Sequence, residues 1–261
     1  MHDDGYVGSA AQVALQSKCV ALHDEIMDTP GAVQGGRLLT SDDPACLGWD
    51  RIAAILAEDG FFGCRLVPRA DLDTVRSRFA ALNAAFDCWD VFAATPADIA
   101  ARPVAAPPDG LRLVTGAEAG RRDRLGAVQA FMAGQGVVPL PAPFLDGMLG
   151  PCALAVLTDA SGRILSTAYA HFPHNRHSPF HRWAWTGLAA TAPEARGQGL
   201  AGIAYGTVLH EITGRHNAGQ VYAMARAENE SSVRMLQKLG LTQMPDRVSG
   251  MARTGDARLT R

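Results

Sequence analysis

Residues 183–202 read WAWTGLAATAPEARGQGLAG, an apolar strand that breaks at Pro193 and restarts as a helix through a glycine-rich turn. Gly197, Gly199 and Gly202 mark a place where the backbone must approach something closely. Leu200, Ala204, Val208 and Ile212 then recur at helical spacing, so a helix starts near Gly199. The first N–H groups of a helix have no intrahelical partner, and the helix dipole adds about half a positive charge at that end. Such a turn suits an anion like a pyrophosphate, and Arg196 adds a fixed cation beside it.

Two patterns share these letters. Gly197, Gly199 and Gly202 spell GxGxxG, the dinucleotide fingerprint, while Arg196, Gly199 and Ala201 spell [RQ]xxGx[GA]. In a chain with 27 glycines either one arises by accident, so context decides. A dinucleotide turn follows its strand directly and leads into several more strand–helix units. Here Pro193, Glu194 and Ala195 intervene, and too little chain follows Gly202 to build that sheet. NADP binding, with Arg226 near the 2′-phosphate, is kept as the minor alternative. Downstream, Gln220 to Arg226 (QVYAMAR) reads as a strand, and residues 229–241 form NxxSxxMLxKLGL along a short helix.

The ordered pair, LAATAPEARGQGLA and then NESSVRMLQKLGL after a strand, resembles the central and C-terminal motifs of the GNAT superfamily of acyl-CoA-dependent N-acyltransferases. The resemblance covers roughly residues 109 to 254. It implies an α/β fold with a central mixed sheet flanked by helices, in the order βααβββαβαββ. It also implies acetyl-CoA as co-substrate, and a primary amine of a small-molecule or amino-acid-like acceptor that attacks the thioester directly in a ternary complex. By match to the motifs, backbone groups of Ala189 and Thr191 would pair with the pantetheine amides as an added strand would. The pyrophosphate would fall to Arg196, Gly197, Gln198, Gly199, Leu200 and Ala201, with Asn229 and Ser232 completing the cofactor site.

N-acylation needs a base for the ammonium proton and an acid for the departing thiolate. Relatives place a glutamate one or two residues before the position of Ala189, and a tyrosine where this chain has Leu236. This chain has Gly187 and Leu188 at the first place. Tyr169, Thr186 and Tyr222 are the substitutes in view, each also explicable as a core or strand residue. Trp183 and Trp185 alternate onto one strand face and are candidates for an acceptor wall, or for a packed core. The missing acid–base groups also leave open a non-catalytic acyl-CoA sensor.

Composition bounds the rest. The 261 residues are 48% hydrophobic and 19% charged, an ordinary globular balance, and the net charge of -2 gives no reason to expect nucleic acid or an anionic membrane as partner. Five scattered cysteines, an odd number, indicate neither a disulfide framework nor a zinc site, which fits a reducing cytoplasm. No leader-like start and no apolar run of ~18 residues point elsewhere. His171, His174, His177 and His181 invite a metal reading, but no acidic or cysteine ligand lies among them, and a solvated loop is expected.

Before the proline-rich stretch RPVAAPPDG (102–110), helical periodicity at 9–28 (a packing or homodimer helix), 49–56 and 72–82 alternates with strand-like 61–67 and 88–95. Residues 1–108 are therefore expected to form a smaller N-terminal α/β domain that shapes the substrate site or serves structure. A decayed half-copy of the acyltransferase fold is the other reading, although the glycine turn does not recur. Residues 109–261 then form the acyltransferase-like domain, ending in two strands, Thr242 to Met244 and Arg247 to Ala252.

Overall fold

The computed structural model describes residues 5–255. Helix α1 (Ala10–Ala21) starts at Ser9, whose hydroxyl accepts from the Gln12 N–H while the Gln12 side chain accepts from the Ser9 N–H. The helix expected over residues 9–28 is in fact two, because α1 ends at Leu22 and α2 (His23–Asp28) follows. Two strands of three residues each, β1 (Ala32–Gln34) and β2 (Leu39–Ser41), then form a hairpin that is too short for periodicity to reveal. After α3 (Pro44–Leu47) come α4 (Trp49–Asp59), β3 (Phe61–Pro68), α5 (Leu72–Ala81), β4 (Ala84–Ala94) and α6 (Pro96–Ala100). Pro96 ends the strand by opening a helix, at the first helical position, where its missing N–H costs nothing.

An extended segment over 102–110 leads to β5 (Arg112–Thr115), α7 (Gly116–Ala119), α8 (Arg122–Gly134) and α9 (Ala142–Leu145). Then follow β6 (Cys152–Thr158), β7 (Ile164–His171), β8 (Trp183–Thr191), α10 (Leu200–Gly214), β9 (Gln220–Ala225), α11 (Glu230–Lys238) and β10 (Thr242–Thr254). The two final strands expected from sequence are one. Strand β10 is continuous, and only its pairing with β4 breaks, between Gln243 and Val248.

All of these strands lie in a single ten-stranded sheet, ordered β1-β2-β3-β10-β4-β9-β8-β7-β6-β5. The first hundred residues therefore do not build a sheet of their own, which corrects the expectation of a separate N-terminal domain. The reason is β10, which runs between β3 and β4 and pairs antiparallel with both, so that the edges of the N-terminal strands are satisfied only by the C-terminal one. Among the described residues only β2–β3 and β8–β9 are parallel pairs, far from the run of parallel strands that a dinucleotide fold requires. Helices cover both faces. Leu200, Ala204, Val208 and Ile212 of α10 pack with Ala153, Ala155 and Ala168 on one side, and Leu125, Val128 and Met132 of α8 pack with Leu154 and Trp185 on the other.

One local geometry occurs twice. Leu188 and Leu66 both have φ 51, in the left-handed region that non-glycine residues avoid. In β8 the chain advances from Gly187 to Ala190 while β7 advances only from Thr167 to Tyr169; in β3 it advances from Cys64 to Val67 while β10 moves only between Val248 and Gly250. Each is a β-bulge, one extra residue that bends its strand and re-aims the neighbouring side chain. Side chains hold the displaced peptides: Ser249 Oγ accepts from the Leu66 N–H at 3.0 Å, and Thr167 Oγ1 donates to the Leu188 carbonyl at 3.2 Å. Downstream, Asn83 before β4 and Asn217 before β9 share φ 55. The unit β3–α5–β4 thus shares a bulge and a left-handed asparagine with β8–α10–β9, without the glycine turn.

Ser249 and the Leu66 bulge are both fully buried. Ser249→Ala leaves the Leu66 N–H without a partner and is expected to destabilise the protein by about 1–3 kcal/mol. Because β10 ties the two halves together, urea unfolding followed by fluorescence and by circular dichroism should give one coincident transition that moves as a whole in the variant.

Candidate active site

The ladder between β8 and β9 stops at the Trp185–Tyr222 pair. Beyond it the bulge at Leu188 carries β8 away, so that β8 pairs only with β7 and β9 only with β4. A V-shaped gap opens, and two adjoining cavities occupy it, sharing Val137, Ala189, Ser232 and Met235 as walls.

The larger cavity, about 620 Å³, gathers Ala189, Thr191, Arg196, Gly197, Gly199, Leu200, Ala201 and Ser232, which are eight of the ten cofactor residues expected from sequence. Gly197 (φ 78) and Gly199 (φ 77) are in the left-handed region, and Gly199 is the N-cap of α10. A Cβ on Gly197, Gly199 or Gly202 would meet nothing within 4 Å, so no packing demand requires glycine there. The backbone turn itself, presenting free helix N–H groups to open space, is what these residues permit. Arg196 is exposed, and its Nε donates to the Thr191 carbonyl at 3.3 Å, which fixes the end of β8.

The other two residues lie outside the cavity wall. The Gln198 side chain donates to the Glu194 carbonyl, and Asn229 caps α11 by accepting from the Ser232 N–H at 3.2 Å. Two cations that sequence reasoning missed, Arg234 and Lys238, complete the wall from α11. Helical spacing from Ser231 (i, i+3, i+7) places both on the same face and was the available signal.

The smaller cavity, about 290 Å³, lies at the inner end of the gap. Trp185, Thr186, Gly187 and Leu188 of β8, Tyr205 of α10, Met224 of β9 and Leu236 of α11 wall it, and the N-terminal half supplies Arg37, Leu38, Thr40, Gly63, Arg65 and Trp89. A Cβ on Gly187 would lie 2.4 Å from Trp185 Cζ2 and 2.7 Å from Cη2. The Trp185 indole thus fills the space that a glutamate at 187 would need, which is why Gly187 can carry no acid–base group.

Arg65 and Arg37 both lie over that indole, with guanidinium carbons 5.2 and 6.0 Å from its centroid. Arg65 is 7% exposed and donates to the Met224 sulfur at 3.1 Å, while Arg37 donates to the Val138 carbonyl at 2.7 Å and leaves its Nε without a partner. Neither has a carboxylate partner among the described residues. Burial, with Arg65 alongside, brings Arg37 down to about 10, still protonated at neutral pH. Trp185 Nε1 is also buried and unpaired, and the buried Thr186 hydroxyl faces the Tyr205 phenol, which burial pushes up.

Of the catalytic and acceptor-wall candidates, Thr186 and Trp185 line this cavity, whereas Tyr169, Tyr222 and Trp183 do not. Tyr169 donates to the Phe144 carbonyl at 2.7 Å, and Trp183 packs edge-on against Phe180. Tyr222 sits beneath the cavity in a buried chain: His174 Nδ1 meets Asp42 Oδ2 at 2.7 Å, and His174 Nε2 meets the Tyr222 hydroxyl at 3.0 Å. Burial keeps His174 below its ordinary pKa, so its neutral ring donates to Asp42 and accepts from Tyr222.

The histidine-rich segment is the solvated loop expected from sequence only in part, with His177 and His181 exposed. His171, His174 and Asn175 are buried, and the Asn175 amide donates to the carbonyls of Ile26, Thr29 and Ala32, which docks the N-terminal half. Among the described residues no group of three or more side chains is placed to hold a metal. His171 is packed between Phe144, Tyr169 and Trp185, and burial, with Arg65 nearby, pushes it down to about 3. The unfolded chain takes up this proton below about pH 6.5 and the native state does not until about pH 3, so stability is lost as pH falls through that window. Urea unfolding at a series of pH values should show His171→Leu with a shallower loss between pH 6 and 4, by up to about 1.4 kcal/mol per pH unit.

No protein-family model matches the sequence, and no curated protein matches it. Solved structures do. A GCN5-related N-acetyltransferase from Kribbella flavida aligns with a TM-score of 0.61 at 14% identity, covering 98% of this chain and 100% of that one. A Drosophila protein aligns at 0.59 and 14% identity over 96% and 91% of the two chains. A functionally unknown conserved protein from Staphylococcus epidermidis aligns at 0.50 and 6% identity over 90% and 89%. The likeness takes in the first hundred residues along with the motif-bearing part, and the fold of this chain is that of the GNAT N-acetyltransferases.

Proposed function

We propose that this protein transfers an acetyl group from acetyl-CoA to a primary amine of a small molecule, by direct attack within a ternary complex. The observation that carries this is the gap between β8 and β9, with a glycine turn at its outer end and a buried second cavity at its inner end. Pantetheine amides would pair with the free edge at Ala189 and Thr191. The pyrophosphate would rest on the N–H groups of residues 197–201, with Arg234 and Lys238 as nearby cations. That places the thioester at Leu188–Ala189, facing the smaller cavity.

The amine nitrogen then attacks the thioester carbonyl carbon, an N–C bond forms, and collapse of the tetrahedral adduct breaks the C–S bond and releases CoA thiolate. Among the described residues no carboxylate or imidazole lines the smaller cavity to take the ammonium proton. The ammonium therefore loses that proton to water before the attack, without a side-chain base. As the adduct collapses its nitrogen loses a second proton, which the Thr186 and Tyr205 hydroxyls of the cavity wall would relay to the departing thiolate. Rate comes mainly from positioning. The second reading, an acyl-CoA sensor without turnover, is favoured by the covered Gly187 and by Leu236, only 2% exposed where relatives have a tyrosine.

Thiol release from acetyl-CoA, measured over a broad amine panel, should rise well above the acceptor-free rate; silence together with proven CoA binding would favour the sensor. For the turn, Gly199→Val would confound two effects, because φ 77 strains any side chain there. Gly202 is helical and open, so Gly202→Glu puts a carboxylate beside the pyrophosphate without backbone strain. Calorimetric titration should show CoA affinity falling on the order of 10-fold or more in Gly202→Glu and nearly unchanged in Gly202→Ala. Equal affinity in the two would detach the turn from the cofactor.

A further inference from the structure

We propose that Arg37 and Arg65 hold the carboxylate of the acceptor, so that the amine acetylated here is the α-amino group of an amino acid with an apolar side chain. The inference rests on the acetyl-transfer reading above and adds the identity of the acceptor class.

Two guanidiniums on one indole, Arg65 buried and Arg37 half-buried with its Nε shielded, and with no carboxylate partner among the described residues, are costly, and side chains of this kind are kept where something pairs with them. Among the described residues the one hydrogen bond of the Arg65 guanidinium goes to a thioether sulfur, and Arg37 spends one N–H on the Val138 carbonyl and leaves its Nε free. Trp185 Nε1, 95% buried by its 5% exposure, adds another donor without a partner on the same ring that both arginines cover. The charged and N–H groups here are all donors. What satisfies them is a group that only accepts, and a planar carboxylate matches the guanidinium fork. Apart from the hydroxyls of Thr40, Thr186, Tyr205 and Ser232, the remaining walls, including Leu38, Leu188, Met224 and Met251, are apolar and suit a hydrocarbon or thioether side chain.

Position supports the α-amino acid in particular. The β3 bulge at Leu66 aims the adjacent Arg65 into the cavity, as the β8 bulge does for Gly187. The indole under both guanidiniums also covers Gly187, next to Leu188 and Ala189. An acceptor whose carboxylate lies on the arginines therefore has its neighbouring nitrogen close to the thioester. The carboxylate is unchanged by the reaction, and the products are an N-acetyl amino acid and CoA.

The experiment compares leucine, methionine and phenylalanine with isopentylamine, 3-(methylthio)propylamine and phenethylamine, which carry the same side chains without the carboxylate. Thiol release should give amino acids a kcat/KM on the order of 100-fold above their amines. Arg65→Met should lower kcat/KM for the amino acids on the order of 10- to 100-fold, mostly through KM, and leave the amines within about 3-fold. Arg65→Lys should recover part of the loss, and Arg37→Met, on the separate β1–β2 hairpin, should repeat the pattern. Equal use of amines and amino acids, or an equal loss for both in Arg65→Met, overturns the proposal while acetyl transfer stands. If nothing is turned over, leucine and isopentylamine are titrated calorimetrically into the CoA-saturated wild type and Arg65→Met. Leucine binding in the wild type alone keeps the carboxylate site and removes acetyl transfer; no preference for leucine over isopentylamine in the wild type overturns the site, whether or not the variants fold.

Discussion

A left-handed backbone at one leucine sets the geometry of this protein. Leu188 at φ 51 adds a residue to β8 that its neighbour β7 does not have, and the strand can no longer follow β9. Backbone groups that would have closed a ladder instead line a gap, where only an extended, amide-bearing partner can satisfy them. The strain is held by ordinary means: Thr167 bonds the displaced carbonyl, and Leu188 is buried in the core formed by Trp185 and Ala190. The glycine turn and α10 extend the gap toward phosphate chemistry, and the smaller cavity extends it toward the acceptor.

The same device in β3 has been put to a different use. There the space between the two parallel strands is filled by β10, so the N-terminal half has no gap to offer a second cofactor. What remains is the side chain that the bulge aims. Arg65 enters the shared cavity from β3 opposite Gly187, and Arg37 joins it from the β1–β2 hairpin, where Gln34 fastens the turn by accepting from the Gly36 N–H and donating to the Cys19 carbonyl. The half without the cofactor motif thus supplies the charge of the acceptor pocket.

Local chemistry was legible in the sequence and long-range pairing was not. Residues 189–201 could be placed because a broken strand, glycines and a helix start are all short-range signals, and β3, α4, α5 and α10 followed from periodicity. The β1–β2 hairpin was not legible, since three residues carry no period. Nor was the burial of His171 and His174, because the groups that shelter them, Asp42, Phe144 and the Asn175 anchor at Ile26 to Ala32, are distant in sequence or too scattered to form a pattern. Arg65 in FFGCRLVP looks like any outward-facing strand residue. Only knowledge of which sheet face is covered, and by what, distinguishes it. The independence of residues 1–108 was the natural reading of a proline-rich linker, and it fails because β10 is donated back across that linker.

That returning strand orders events at the ribosome. Strands β3 and β4 are synthesised early, yet the partner that sits between them is made last. At ordinary translation rates the interval is on the order of ten seconds. Throughout it the nascent chain carries two open strand edges rich in Phe, Val and Ala, the kind of surface that pairs with other chains. Native pairing of this half waits for the synthesis of β10, which makes the early nascent chain a natural client for chaperones that shield strand edges.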